Sequence, residues 1–258
     1  MKKELVIALA AFFYMALSAI TGVYAVEDGN KIITVSKDKV DVSGDGKKDT
    51  VIITGIPYVE DGDYLKEIYM EISASNGKTY RVELDGGLRP KIDFVDLNHD
   101  GVADMYIGVD TGGSGGITKY YLYSLKDFNL TNLTVPDPLV MNSQFLNGYK
   151  ARITIQDTGK SYMFDLRDRA DEYERSGLYQ NGRLSEPTEL MVDAYSTLKP
   201  VLVKGEQYGL IGSQAISGAI HADTIAIVES TWFYENGKWV LMGMKIKETN
   251  PRKTKGTK

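Results

Sequence analysis

The stretch DLNHDGVAD, from Asp96 to Asp104, sets oxygen-bearing side chains at positions one, three, five and nine around a glycine at position six. A hard cation such as Ca2+ takes about six to eight oxygen ligands at roughly 2.4 Å, so a short loop must fold oxygens inward from several positions. Asp96, Asn98, Asp100 and Asp104 supply side-chain oxygens, and the carbonyl of Val102 falls at position seven. Gly101 stands where the chain must turn sharply, a place that favours positive φ. With no cation, three carboxylates would converge with nothing to offset their repulsion. A second copy lies upstream: DVSGDGKKD puts Asp41, Ser43, Asp45, Gly46 and Asp49 at the same five offsets. Ser43 is a weaker oxygen donor than Asn98, but two matches in one chain argue against accident.

Neither stretch fits an EF-hand, which needs a bidentate glutamate at position twelve and a following helix. Position twelve holds Ile52 and Ile107, and the runs that follow, TVIIT and MYIGV, read as strands. The predicted Ca2+ sites are therefore strand-to-strand connections.

Other chemistry finds less support. GGSGG, Gly112 to Gly116, formally satisfies G-x-S-x-G, with Ser114 as nucleophile and Asp193 and His221 following in the chain order of an α/β-hydrolase. That nucleophile turn needs a helix after the serine, whereas ITKYYLYSL reads as a strand. The alternative is a glycine turn whose backbone can approach a ligand. Of the two histidines, His99 occupies a non-ligand position of its loop and is expected to be exposed, while His221 reads as a structural residue or a base. Zero cysteines exclude thiol nucleophiles, thiolate zinc sites, iron–sulfur clusters and disulfides.

Turn signals show the elements that must position the loops. Hairpins are predicted over Met70–Leu84, turning at Asn76-Gly77, over Ile153–Leu166, turning at Thr158-Gly159, and over Ser230–Ile246, turning at Asn236-Gly237. All three carry Gly-Lys at the turn and alternating apolar residues on both arms. Counting back from the third hairpin places a third loop at Gly205, with Pro200, Leu202, Lys204 and Tyr208 at the carboxylate positions. That loop should bind no metal. The chain thus reads as mostly β: three repeated antiparallel units over about 31–88, 89–190 and 191–248. The middle one carries a short helical insertion within Leu166–Pro187, with an Asp171–Arg175 pair and a stop at Gly177.

The 258 residues, 43% of them hydrophobic, can bury a real core over 26–248. A net charge of -5 argues against a nucleic-acid partner. Residues 1–25 read as a signal peptide: Lys2 and Lys3, then an apolar stretch over Leu5–Ile20, then small residues ending at Ala25. The alternative is an uncleaved anchor, and after cleavage no segment would span a membrane. The basic stretch over 249–258 reads as a disordered tail.

A D-x-[DN]-x-D-G-x-x-D loop between strands, repeated at about blade length, resembles the FG-GAP/VCBS repeats of secreted and cell-surface proteins, including those of Gram-positive bacteria. That resemblance implies calcium ligands at Asp96, Asn98, Asp100, the Val102 carbonyl and Asp104, and at Asp41, Ser43, Asp45 and Asp49. It also implies propeller-blade-like units, although three are too few for the usual ring, so closure stays open. The expected function is binding, adhesion or recognition of an extracellular protein or glycan. The alternatives are an extracellular hydrolase with structural calcium, or a structural component of a wall or spore layer.

Overall fold

The computed structural model describes residues 31–249, so the signal segment and the tail from Asn250 onward lie outside the described residues. Over these residues the chain is mostly β, with antiparallel sheets, one short helix and no closed barrel. Among the described residues no helix is long and apolar enough to cross a membrane.

The first half forms one eight-stranded sheet: β1 (Ile33–Val40), β2 (Asp49–Pro57), β3 (Tyr64–Ser73), β4 (Thr79–Leu84), β5 (Gly87–Val95), β6 (Asp104–Asp110), β7 (Thr118–Ser124) and β8 (Thr131–Asn132). Along one edge β3 pairs mainly with β4, but its first residues, Tyr64 and Leu65, pair with Leu88 and Gly87 of β5. The sheet therefore divides into two four-stranded wings, β1–β4 and β5–β8, joined at that corner. One apolar cluster packs both wings together, with Ile53, Ile68 and Met70 from the first against Met105, Ile107 and Val109 from the second. The period-2 alternation of a strand sends Tyr106 to the opposite face of β6, where it joins a second cluster built with the C-terminal half. β6 is consequently buried on both faces, the middle layer of the molecule.

The C-terminal half holds a three-stranded sheet, β9 (Met141–Leu146), β10 (Lys150–Ile155) and β11 (Ser161–Asp165). The helix α1 (Ala170–Arg175) and a small two-stranded sheet, β12 (Tyr179–Gln180) with β13 (Arg183–Leu184), follow. The described residues end in a four-stranded meander: β14 (Met191–Lys204), β15 (Gln207–Ser217), β16 (Thr224–Glu235) and β17 (Lys238–Glu248).

Several expectations need correction. The hairpin over Ile153–Leu166 turns where its glycine requires, but it pairs with β9 in a separate sheet rather than completing the second unit. The second wing closes instead through β7 and β8, joined by a turn without glycine. The third loop does not exist as a loop: Lys204 pairs with Gln207, so Gly205 and Glu206 form a two-residue hairpin turn. Such a turn suits paired long strands that need no ion at their corner. In α1, Arg175 Nε donates to the backbone carbonyl of Asp171 (3.1 Å) rather than to its carboxylate. Thr249, assigned to the disordered tail, is tied down: its N–H donates to Ile225 O (2.9 Å) and its carbonyl accepts from Arg169.

Candidate metal centre

Both acidic loops join the first and second strands of a wing, Asp41–Asp49 between β1 and β2, and Asp96–Asp104 between β5 and β6. They lie against each other: a Cβ added at Gly44 would stand 2.7 Å from a methyl of Val102. Their backbones share one design. Position six is left-handed in both, at Gly46 (φ 83°) and Gly101 (φ 85°), and so is position four, at Gly44 (φ 78°) and His99 (φ 63°).

The hydrogen bonds repeat almost atom for atom. At position one, Asp41 Oδ2 accepts from Gly46 N (2.8 Å) and Asp96 Oδ2 from Gly101 N (3.0 Å). At position five, Asp45 Oδ1 accepts from Lys47 N (2.9 Å) and Asp100 Oδ1 from Val102 N (3.0 Å). The closing aspartate accepts two amides from the loop's start: Val42 N and Ser43 N on Asp49 Oδ2, both 3.0 Å, and Leu97 N (2.9 Å) and Asn98 N (3.2 Å) on Asp104 Oδ2. These amides correct the expectation that nothing but a cation could offset the convergent carboxylates. A carboxylate oxygen has more than one lone pair, so accepting a backbone N–H does not remove it from the donor set for an ion.

The loops differ in what completes them. Asp49 and Asp104 are both fully buried. Asp49 Oδ1 accepts from Ser75 N (2.8 Å), and Ser75 Oγ donates to Asp45 Oδ2 (2.6 Å). Asp104 Oδ1 meets no donor. Burial pushes the Asp104 carboxyl up to about 6, against the pull of its two backbone amides and helped by the charges of Asp100 and Asp96. Beside Asp100 stands Lys126, whose Nζ donates to the Asp100 carbonyl (2.6 Å) and lies 3.7 Å from its carboxylate. Asn98 Nδ2 also donates to Asp100 Oδ2 (3.0 Å). Ser43, nearly buried, points its hydroxyl at Asp41 and Asp45, each 3.4 Å away.

An all-oxygen donor set with an orphaned buried carboxylate oxygen fits a hard cation such as Ca2+. As they stand, no three Asp, Glu or His side chains among the described residues are gathered tightly enough to hold an ion, so binding would draw the carboxylates inward. Asp96, Asn98, Asp100, the Val102 carbonyl and Asp104 would hold it in the second loop, and Asp41, Ser43, Asp45 and Asp49 in the first.

His99 is not idle, contrary to the expectation of simple exposure. Its Nε2 lies 2.7 Å from the carbonyl of Tyr208 on β15, and its ring stacks on Phe233 of β16 (centroids 4.4 Å apart). A carbonyl only accepts, so Nε2 must carry the proton. The loop is thereby clasped to the C-terminal meander. Sequence reasoning also missed Ser75 and Lys126. Each lies two residues beyond the third strand of its wing, Ser75 after β3 and Lys126 after β7, and no local pattern announces that they reach a loop.

The three residues in hydrolase order come into one neighbourhood. His221, in the β15–β16 connection, has Nδ1 3.2 Å from Asp193 Oδ2, and Asp193 is largely buried. A Cβ added at Gly115, next to Ser114, would stand 3.4 Å from Asp193 Oδ1. No hydrogen bond joins Ser114 to His221. The connection bearing His221 is pinned from below by Asp223, which pairs with buried Arg169 (2.8 Å) and accepts the Tyr173 hydroxyl.

Fold and loops together define an antiparallel β protein with twinned acidic strand connections. Residues 139–247 match the family model described as the YybI C-terminal domain, a span holding the inserted sheets and the last meander but neither acidic loop. The chain is similar to a Bacillus subtilis (strain 168) protein described as uncharacterized protein YybI, 28% identical over 200 residues that cover 74% of this chain and 75% of that one. Two solved structures share its outline loosely, a Bacillus licheniformis rhamnogalacturonan lyase PL11 at 12% identity and the exotype rhamnogalacturonan lyase YesX at 14%. Each has a TM-score of 0.36 and is matched over 84% of this chain, which spans about a third of their length (34% and 33%). A likeness that loose carries no argument.

Proposed function

We propose that the chain is an exported, calcium-stabilised β-repeat protein of the FG-GAP/VCBS kind, acting at the cell surface or beyond it by binding. The observation that carries this reading is the orphaned, fully buried Asp104 Oδ1 inside one of two side-by-side loops of common backbone design. The three four-stranded meanders, β1–β4, β5–β8 and β14–β17, support blade-like units in an open stack. Calcium would bind the folded loops and not the unfolded chain. At free calcium 100 times the dissociation constant it stabilises the fold by about 2.7 kcal/mol, or roughly 5–10 °C in melting midpoint for a chain of this size. Melting with calcium and with chelator tests it, and an unchanged midpoint sinks it. Asp100→Asn should remove most of the shift, whereas Lys204→Ala, which breaks a contact with Glu235 (3.2 Å), should leave it intact.

A second reading, an extracellular hydrolase with structural calcium, is favoured by the Asp193–His221 pair beside the glycine loop. Asp193 would orient the imidazole and leave Nε2 as the base. Against it, β7 follows Ser114 where a nucleophile turn would need a helix. A serine-reactive activity probe that labels the native chain but not Ser114→Ala would establish it, and equal labelling of both would remove it.

A further inference from the structure

A cavity of about 820 Å³ opens between the second wing and the C-terminal meander, with Asp96, His99 and Tyr208 at one end. It runs on into a second of about 390 Å³, the two sharing Lys91, Asp93 and Lys199. That one continues into a third of about 340 Å³ at the glycine loop, sharing Arg89 and Asp110. The three form one trough along β5, from Asp96 back to Leu88, roughly 25 Å long at the usual rise of a strand. A trough of that length suits an extended oligomer rather than a single small molecule.

Its wall is the outer edge of β14, where an extended peptide would ordinarily add as another strand. Here the edge is already occupied by side chains. Tyr106 donates its hydroxyl to Leu198 O (2.6 Å), Leu198 N donates to the Tyr120 hydroxyl (2.9 Å), and Thr118 reaches Ser196 O (3.4 Å). Tyr106 and Tyr120 stack at 5.6 Å, which fixes both hydroxyls against the strand. With both backbone groups of Leu198 satisfied and Ser196 O in reach of Thr118, the middle of this edge offers no ladder to a peptide, and recognition there must come from side chains.

Those side chains carry both signs, in neighbouring pairs. Arg89 sits at an irregularity of the β5 ladder in a left-handed conformation (φ 48°), and its guanidinium meets Asp110 at 2.8 Å. Lys91 pairs with Asp93 (2.9 Å). Lys199 and Glu206 line the trough exposed. Cations and carboxylates nearly balance, so neither a polyanion nor a polycation is matched. Interleaved donors and acceptors suit a partner whose groups both donate and accept, which is the property of a hydroxyl. The ring of Tyr208, 40% exposed at the mouth, offers an apolar platform for the carbon face of a sugar ring.

We propose that this trough binds an uncharged, hydroxyl-rich oligosaccharide lying along β5. The inference deepens the binding reading above and rests on it, but it does not require calcium. Isothermal titration of the purified chain with N-acetylglucosamine oligomers and with β-1,4-linked glucose oligomers of two to six units tests it, in calcium and in chelator. At least one series should bind, with Kd falling at least tenfold from dimer to hexamer. Tyr208→Ala and Lys199→Ala should each weaken hexamer binding at least fivefold, while Met163→Ala, exposed on β11, should not. No binding by either series overturns the proposal. So does hexamer affinity that ignores both substitutions, or a preference for polygalacturonate or for an extended alanine–lysine peptide. The calcium reading is judged by melting midpoint and the trough by Kd, so either fails without the other.

Discussion

At the Asp41 loop a serine from beyond the wing's third strand supplies the donors that the loop lacks. Ser75 gives its N–H to Asp49 and its hydroxyl to Asp45. At the Asp96 loop the corresponding stretch sends Lys126 instead, which reaches Asp100 and leaves Asp104 with one buried oxygen unanswered. One loop is finished by the protein. The other is finished only in part, and its remaining need is for positive charge at a buried carboxylate. A repeated motif therefore does not imply repeated function: the spacing builds the same backbone, and the residue arriving from the neighbouring hairpin decides what the loop still wants.

The sharpest way to break that contrast is an isosteric pair, Asp49→Asn and Asp104→Asn, unfolded by urea in chelator. In Asp49→Asn one amide group must face N–H donors that the carboxylate accepted on both oxygens. Leaving a buried donor unmet costs about 1–3 kcal/mol. In Asp104→Asn the amide oxygen can keep Leu97 N and Asn98 N while the NH2 replaces the orphaned oxygen, and a buried charge disappears. Because that oxygen was already unpaired, the change should cost less than Asp49→Asn. With calcium added, Asp104→Asn should show no gain from the Asp96 loop. Equal costs in chelator would mean that the two loops are not differently completed.

The nine-residue spacing and its glycines were legible because a loop of this kind is local: ligand-type residues, turn and following strand all lie within a dozen positions. Asn236-Gly237 marks its hairpin for the same reason, since a two-residue turn demands left-handed backbone at both positions (φ 53° and 78°), while at Asn76-Gly77 the left-handed glycine (φ 85°) closes a longer turn in which Ala74 N donates to Lys78 O (2.9 Å). The assignment of Ile153–Leu166 to the second wing went astray because its glycine turn imitates the others, while the true partner of β7 follows a turn of Lys126–Phe128 with no glycine. Gly205 misled in the opposite direction, as a glycine that serves a tight turn and not a loop. The completing residues, Ser75 and Lys126, were invisible because their role depends on where a strand ends relative to another segment's carboxylate. Likewise the trough could not be read from sequence, since its wall comes from β14 and its floor from tyrosines about eighty to ninety positions earlier, at Tyr106 and Tyr120.

A smaller effect should follow from exchanging the completing groups. Lys126→Met removes an ammonium that competes with any cation for Asp100. A half-exposed pair of this kind is worth at most about 1 kcal/mol, so calcium affinity at the Asp96 loop should rise up to roughly fivefold by titration calorimetry. Ser75→Ala frees Asp45 Oδ2 but keeps the N–H on Asp49, so the Asp41 loop should gain affinity while losing stability in chelator. If Lys126→Met weakens calcium binding instead, the lysine organises the loop rather than competing for it.

The smallest expected change in stability tests why position four differs. Gly44 takes its left-handed conformation at no steric cost, whereas a residue with a side chain gives up roughly 1–2 kcal/mol there. His99 accepts that strain and gains a hydrogen bond to Tyr208 O, worth about 1 kcal/mol, and a stack on Phe233, worth about 0.5–1.5 kcal/mol. His99→Gly surrenders both and relieves the strain, so the terms nearly cancel and global stability should move by less than about 1 kcal/mol. Local order should not be spared. With the clasp gone, the Asp96 loop and the Gly205 turn are no longer joined across the mouth of the trough, and hydrogen exchange at Gly101 and Tyr208 should quicken while β2 and β6 stay protected. An unchanged exchange pattern would show that the contact between the loop and the meander is held by packing alone, and that the strained backbone of His99 is inherited from the loop's design rather than maintained for the clasp.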